Sequence, residues 1–212
     1  MRTIDLASWP RRELYENFRT YGDPFFNITA EIDVTDIVRF SREKDQSFFI
    51  VSYYVALKTV NMIEEFRLRM RDDEVVLHDV VHGSCTILNR DETFSACLFE
   101  FRSEFVEFRA KCKEVLEENR RSMLSVPFFH RDDVIHSSVI PWLRFTSFEH
   151  AKRLGKPDSC PKIVLGRFHE VEDRFLMPVS VSGHHALMDG IHAARFFQKY
   201  EENSADIDEV IG

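Results

Sequence analysis

The sequence predicts an α+β fold, with helices packed on one face of a mixed or antiparallel sheet. Two observations predict it. Short runs with strand alternation follow one another from residue 67 onward with turn residues between them, and segments with helical spacing lie mostly early in the chain, with one at its end. At 212 residues, with 44% hydrophobic and 30% charged residues, the chain has an ordinary globular composition and can bury a sizeable core. No internal repeat, low-complexity tract or Gly/Ser-rich linker interrupts it, so one domain over 1–212 is expected.

Taken in order, residues 10–18 (PRRELYENF) open with Pro10, which suits a first helical turn. Residues 48–64 carry an apolar run that reads as a buried helix. Residues 67–71 and 74–78 flank Asp72-Asp73, a hairpin turn, and residues 84–88 and 93–100 flank an Asn-Arg-Asp-Glu turn. Residues 103–121 give the clearest helix: Ser103 reads as its N-cap, and Phe105, Phe108, Cys112, Val115 and Leu116 recur at three- and four-residue spacing. Residues 134–140, 162–168 and 174–182 complete six or seven strands, mostly in consecutive antiparallel order.

Composition excludes several function classes. A net charge of -8 argues against generic nucleic-acid binding, which needs a basic surface, but leaves room for a small anionic ligand held by a few local cations. The 20 Phe, against 5 Tyr and 2 Trp, are expected to fill a core, a few of them lining an apolar ligand pocket. Cys85, Cys97, Cys112 and Cys160 form no Cys-x-x-Cys pair, so free thiols in a reducing cytoplasm are expected, without a zinc cluster. The amino terminus has no apolar signal segment, and the longest near-apolar run, Ser47 to Leu57, is far short of a membrane span.

Chemistry concentrates in residues 178–200 (PVSVSGHHALMDGIHAARFFQKY). Val179, Val181 and Gly183 alternate with Ser180 and Ser182 as in a strand, with His184 and His185 at its end. Met188-Asp189-Gly190 reads as a turn, and Ile191 to Tyr200 as a helix with Ile191, Ala194, Phe196 and Phe197 as its apolar stripe. Two adjacent residues at a strand end point to opposite sides, so one His at most faces a given cleft. Histidine titrates nearest neutrality, and a positioned one can take a proton from a hydroxyl, an effect worth ~10²–10⁴ in rate. An Asp four residues later would orient that ring or fix the turn. The competing reading is a His that caps backbone groups at a strand–helix junction. A metal held by His184, His185, Asp189 and His192 is not expected, because the adjacent rings diverge and no carboxylate spacing completes a tetrahedron. Cys160, before Pro161, reads as a plain buried thiol.

The string His184-His185-x-x-x-Asp189-Gly190 resembles the signature of coenzyme-A-dependent acyltransferases, which also occurs in peptide-synthetase condensation domains and, more loosely, in dihydrolipoyl acyltransferases. Further matches resemble the chloramphenicol acetyltransferase family in particular. They are Trp9-Pro10-Arg11-Arg12-Glu13; the strand from Ile28 to Thr35; Val60-Asn61 with Glu65-Phe66-Arg67; Thr93-Phe94-Ser95; and Ser138-x-x-Pro141-Trp142 followed by Phe145-x-Ser147-Phe148. They stand in family order and at near-family spacing from residue 9 to residue 200.

The resemblance implies a two-layer α/β sandwich and direct acetyl transfer from acetyl-CoA, as co-substrate with no bound cofactor, to the hydroxyl of chloramphenicol or a related small acceptor. It implies a homotrimer with sites between subunits, while net charge and the short apolar runs lead to the expectation of no nucleic-acid and no membrane partner. It assigns His185 as general base, Ser138 as donor to the tetrahedral oxyanion, and Asp189 as the partner of Arg11. Phe94 and Phe148, with Phe26 as a further candidate, match pocket aromatics. Two positions depart. Phe18 stands where the family has an acceptor-binding tyrosine, and Val164 where it has a threonine that holds a water against the intermediate. Acceptor recognition is therefore expected to differ while the transfer machinery stays, and a degenerate binding or scaffold protein without turnover is the alternative.

Overall fold

The computed structural model describes residues 1–122, 131–151 and 158–212. Along the chain the elements run β1 (Arg2–Thr3), α1 (Arg12–Phe18), β2 (Phe25–Asp33), α2 (Thr35–Glu43), α3 (Phe48–Asn61), a 3₁₀ turn (Glu64–Arg67), β3 (Leu68–Arg71), β4 (Glu74–Leu77), β5 (His82–Leu88), β6 (Phe94–Phe99), α4 (Phe105–Ser122), β7 (Val134–Ile140), β8 (Lys162–Gly166), β9 (His169–Val171), β10 (Arg174–His184), α5 (Gly190–Ala205) and α6 (Ile207–Ile211). Seven strands make a mixed sheet in the order β2-β10-β8-β7-β5-β6, with β9 alongside β10, while β1, β4 and β3 make a small separate sheet.

Period-two alternation gives the large sheet two unlike faces. Ile32, Met177, Val179, Val181, Ile163, Leu165, Ile135, Cys85, Cys97 and Phe99 point one way and form one core with residues of α2, α3, α4 and α5. Helix α3 is buried almost all round, as a helix apolar on every side must be, and packs against α2, α4 and α5. Residues at the alternate positions form polar rows on the other face. The strand registers align Thr29, Ser180, Val164, Ser138 and Thr86 in one row, and Asn27, Ser182, Lys162, His136 and Ser84 in the next. A second, smaller core joins Tyr15 of α1 and Leu68, Val75 and Leu77 of the small sheet to Ala186 and Leu187. It anchors the turn that follows His185.

Several elements depart from expectation. β7 pairs in parallel with both β5 and β8, so the sheet is mixed rather than a run of consecutive antiparallel hairpins. Parallel neighbours need a crossover, and α4 lies in the chain between β6 and β7. The helix expected over 48–64 stops at Asn61, whose side chain accepts the Val81 N–H and donates to the Val81 carbonyl. Helix α2 was not foreseen, because Val34-Thr35 reads as the continuation of β2. Its buried Ile37 and Val38 show the stripe that makes it amphipathic. Ser103 is not the N-cap of α4, which begins at Phe105; the Ser103 carbonyl instead accepts the Tyr54 hydroxyl. The buried stripe of α5 is Ala193, Phe196 and Tyr200, with Ile191 exposed. Both expected hairpin turns are present, with Asp72 (φ 51°) and Glu92 (φ 65°) in the left-handed region. All four cysteines are buried free thiols, and burial pushes the Cys97 thiol up to about 11 and that of Cys112 to about 12.

Buried histidines make the fold acid-sensitive. Burial pulls His184 and His150 down to about 4, and lowers His78, His82, His136 and His192 as well. Between about pH 6.5, where unfolded histidine titrates, and about pH 4, the unfolded chain therefore binds more protons than the native one. Stability falls as the pH drops through that window. His184, only 5% exposed, should by itself account for on the order of 3 kcal/mol between pH 7 and pH 4. Urea midpoints across this range check the expectation, and a midpoint flat from pH 7 to pH 5 would contradict it.

Candidate active site

The site begins where β10 ends. His184, its last residue, pairs with Phe25 on β2, and the His185 N–H donates to the Pro24 carbonyl at 2.9 Å. The chain then tightens, with Leu187 and Met188 N–H groups returning to the His184 carbonyl, and Asp189 becomes the N-cap of α5. A Cβ on Gly183 would stand 2.5 Å from the Met188 sulfur, so any larger residue there would have to displace the Met188 side chain that packs the turn against the strand.

The two histidines diverge as alternation requires. His184 turns inward, and its Nδ1 accepts the Ala186 N–H at 3.1 Å. It is the backbone-capping histidine of the competing reading. His185 turns outward with 36% of its side chain exposed. Its ring stacks on Phe18 at 4.3 Å with 7° between planes, and Phe26 stands 5.0 Å away at a tilt. Nδ1 of His185 lies 2.8 Å from Oδ1 of Asp189, close enough to orient the ring, though not aligned as a hydrogen bond.

Asp189 is held by Arg11, which precedes α1. The guanidinium grips both carboxylate oxygens, Nη2 to Oδ1 at 2.6 Å and Nη1 to Oδ2, and also donates to the carbonyls of His185 (2.7 Å) and Ala186 (3.1 Å). These hydrogen bonds hold the Asp189 carboxyl below the usual carboxylate range. A part-buried pair of this kind fixes geometry more than it adds stability. His185, Asp189, Arg11, Phe18 and Phe26 thus come together at one end of the sheet.

Ser138, Val164, Phe148 and Phe94 do not join them. Ser138 lies on the polar face of β7, flanked in register by Val164 of β8 and Thr86 of β5, whose hydroxyl is 3.1 Å from its own. Val164 is buried in the same row, and the Phe148 carbonyl accepts a hydrogen bond from Ser180 of that row at 3.4 Å. Phe94, at the start of edge strand β6, is 69% exposed beside Leu88. Ser180 is level with Ser138, two strands away, and His185 is five residues further along the chain. At ~3.3 Å per residue and ~4.8 Å per strand, one chain separates Ser138 from His185 by roughly 19 Å.

Other groups have closed partnerships. His136, Asp158 and Cys160 bring potential ligand atoms within 4.8 Å of one another. One Asp158 oxygen is taken by Lys162 at 2.7 Å and the other by the Cys160 N–H at 3.0 Å, so the Lys162 ammonium already occupies the place a cation would need. On the helix face, a cavity of about 130 Å³ opens among Phe48, Phe49, Val139, Pro141, Arg167 and Phe168. Neither it nor Thr86 was foreseen, because segments far apart in sequence create them.

A histidine just past a strand end, backed by an arginine-clamped aspartate, lies on a mixed sheet with one helical layer, and the relatives of this chain make it an acyltransferase. The sequence profile of the chloramphenicol acetyltransferase family matches residues 1–201, and the chain belongs to that family. It is 30% identical over 201 residues to chloramphenicol acetyltransferase 3 of Escherichia coli, covering 94% of each chain. It is 32% identical over 196 residues to chloramphenicol acetyltransferase 2 of Haemophilus influenzae, covering 91% of this chain and 92% of that one. A solved chloramphenicol acetyltransferase superposes with a TM-score of 0.88 at 26% identity, over 95% of this chain and 98% of that one. The cubic core of the pyruvate dehydrogenase multienzyme complex shares the fold, with a TM-score of 0.68 at 15% identity, over 100% of this chain and 93% of that one. Among the described residues, no helix is long and apolar enough to cross a membrane.

Proposed function

We propose that the protein transfers an acetyl group from acetyl-CoA directly to the hydroxyl of a small acceptor, chloramphenicol or a related compound, at sites shared between the subunits of a homotrimer. The separation of His185 from Ser138 carries this reading. His185 is oriented, while Ser138 lies roughly 19 Å from it in the same chain, on a sheet face whose end is bordered by exposed Leu88, Phe94, Trp142 and Leu143. An exposed apolar border of this kind fits a surface that a second copy covers.

In such a site Nε2 of His185 takes the proton of the acceptor hydroxyl as its oxygen attacks the thioester carbonyl. The Ser138 hydroxyl donates to the oxyanion, with Thr86 beside it as hydrogen-bond partner. The tetrahedral intermediate collapses, the C–S bond breaks, and the imidazolium returns its proton to the thiolate. The products are the acetyl ester and coenzyme A, and the enzyme carries no acyl group. Asp189 stabilises the imidazolium through Nδ1. The apolar cavity beside β7, with Arg167 among its lining residues, suits the pantetheine arm and anionic end of the donor. Val164 cannot hydrogen-bond a water, so acceptor recognition in the row it shares with Ser138 differs from that of a site with threonine there.

Thiol release from acetyl-CoA, followed across chloramphenicol and a panel of other alcohols, tests the reading. Acceptor-dependent release is expected, with chloramphenicol a slower substrate than another hydroxyl compound in the panel. Saturable coenzyme binding with no release on any acceptor would make the protein a binding scaffold instead.

A further inference from the structure

The N-terminus of α5 contains a reciprocal contact that the transfer chemistry does not use directly. Asp189 and His192 form a capping box, in which each side chain meets the other residue's backbone. The Asp189 N–H donates to Nδ1 of His192 at 2.8 Å. That bond requires Nδ1 to be unprotonated, which places the ring proton on Nε2. Nε2 lies 3.1 Å from Oε1 of Glu65, in the 3₁₀ turn far away in sequence, and Arg195 approaches the same carboxylate at 3.8 Å. His192 is 12% exposed at its side chain, so little water competes for either contact. The charged groups around the ring are Glu65 from the 3₁₀ turn, Arg11 from the residue before α1, and Asp189 and Arg195 from α5.

We infer that Glu65 and His192 are positioning residues that fix the Asp189 backbone and, through its carboxylate, the orientation of the His185 ring. Asp189 serves two geometries. Its carboxylate must meet both Arg11 and His185, and its backbone must start α5. Arg11 and the His192 backbone N–H hold the carboxylate end. The Glu65–His192 pair holds the backbone end, tying the turn to the 3₁₀ segment below α3. Neither residue touches the reacting atoms, so their loss should appear in turnover and not in substrate affinity. The inference rests on His185 being the base.

The test compares His185→Ala, His192→Leu, His192→Gln and Glu65→Gln. Its readouts are kcat, both KM values, and amide hydrogen exchange over residues 186–192. His192→Leu should lower kcat roughly 10- to 100-fold, the scale of a small misplacement of a catalytic group, with both KM values within about twofold and faster exchange in that segment. Glutamine at the third helical position accepts the same N–H, so His192→Gln should recover most of kcat and the exchange protection. Glu65→Gln should lower kcat by about threefold or more, and carries the test if His192→Leu does not fold. Wild-type kcat in His192→Leu or, failing that, in Glu65→Gln, alongside an inactive His185→Ala, overturns the inference alone. So does His192→Gln restoring exchange protection without restoring kcat. Full turnover by His185→Ala overturns the reading of the base, and the inference with it.

Discussion

Co-expressed His185→Ala and Ser138→Ala chains are expected to regain about a quarter of wild-type acetyl transfer, though each alone is nearly inactive. Removing the base should cost ~10²–10⁴ in turnover, and removing one oxyanion donor ~10²–10³. The strand registers put these residues roughly 19 Å apart within a chain, so in the proposed subunit-shared centre the histidine comes from one copy and the serine from another. At equal expression a site is intact when a Ser138→Ala chain supplies the histidine and a His185→Ala chain supplies the serine, which random assembly gives in about one site in four. The remaining sites lack one group or both and contribute almost nothing. Differently tagged chains let the mixed oligomers be isolated before assay. Mixed oligomers no more active than the parents would place both residues in a site that one chain must complete, and the proposed subunit-shared centre would be wrong. A chain that stays monomeric at assay concentration would count against it equally.

The sequence carried the local part of this picture well. Alternation to Gly183, the histidine pair and the Asp189-Gly190 start of α5 are short-range patterns, and the structure realises each of them. The hairpins at Asp72-Asp73 and residues 89–92 were legible for the same reason, since turn residues act within four positions. Long-range pairing was not. Nothing in residues 134–140 says that β7 runs parallel to both neighbours, because period-two patterning is identical in either direction. That pairing sets which residues share a row with Ser138, and so it also sets how far Ser138 lies from His185 within one chain. Family likeness supplied the names of the site residues, while register supplied their separation. Phe18 illustrates the difference. It was singled out as a departure in acceptor recognition, and the structure stacks it face to face on the His185 ring.

Arg69→Met is expected to destabilise the native state by at least about 4 kcal/mol, the largest effect foreseen for any single residue away from the site. Arg69 is fully buried, 0% exposed, yet its acceptors are backbone carbonyls rather than a carboxylate. Its guanidinium donates from Nε to Asp132 (2.5 Å), from Nη1 to Phe66 (2.8 Å) and Leu68 (2.6 Å), and from Nη2 to Val134 (2.7 Å). Phe66 and Leu68 lead into and begin the small sheet, while Asp132 and Val134 lead into and begin β7, so one side chain joins the two sheets where the strand bearing Ser138 starts. Methionine would fill much of the volume but leave four carbonyls without that donor, and each buried acceptor left unpaired costs about 1–3 kcal/mol. Lysine keeps the charge but offers one nitrogen in place of a planar fork, so Arg69→Lys should recover only part of the loss. Neighbouring Arg71 provides the contrast. It pairs with the Asp132 carboxylate at 2.6 and 2.8 Å but is 42% exposed at its side chain, and its replacement by Gln should cost no more than about 1 kcal/mol. Guanidinium denaturation of the three variants measures the difference. An Arg69→Met protein as stable as Arg71→Gln would show that water or a backbone shift satisfies those carbonyls, and that the arginine is not what joins the sheets.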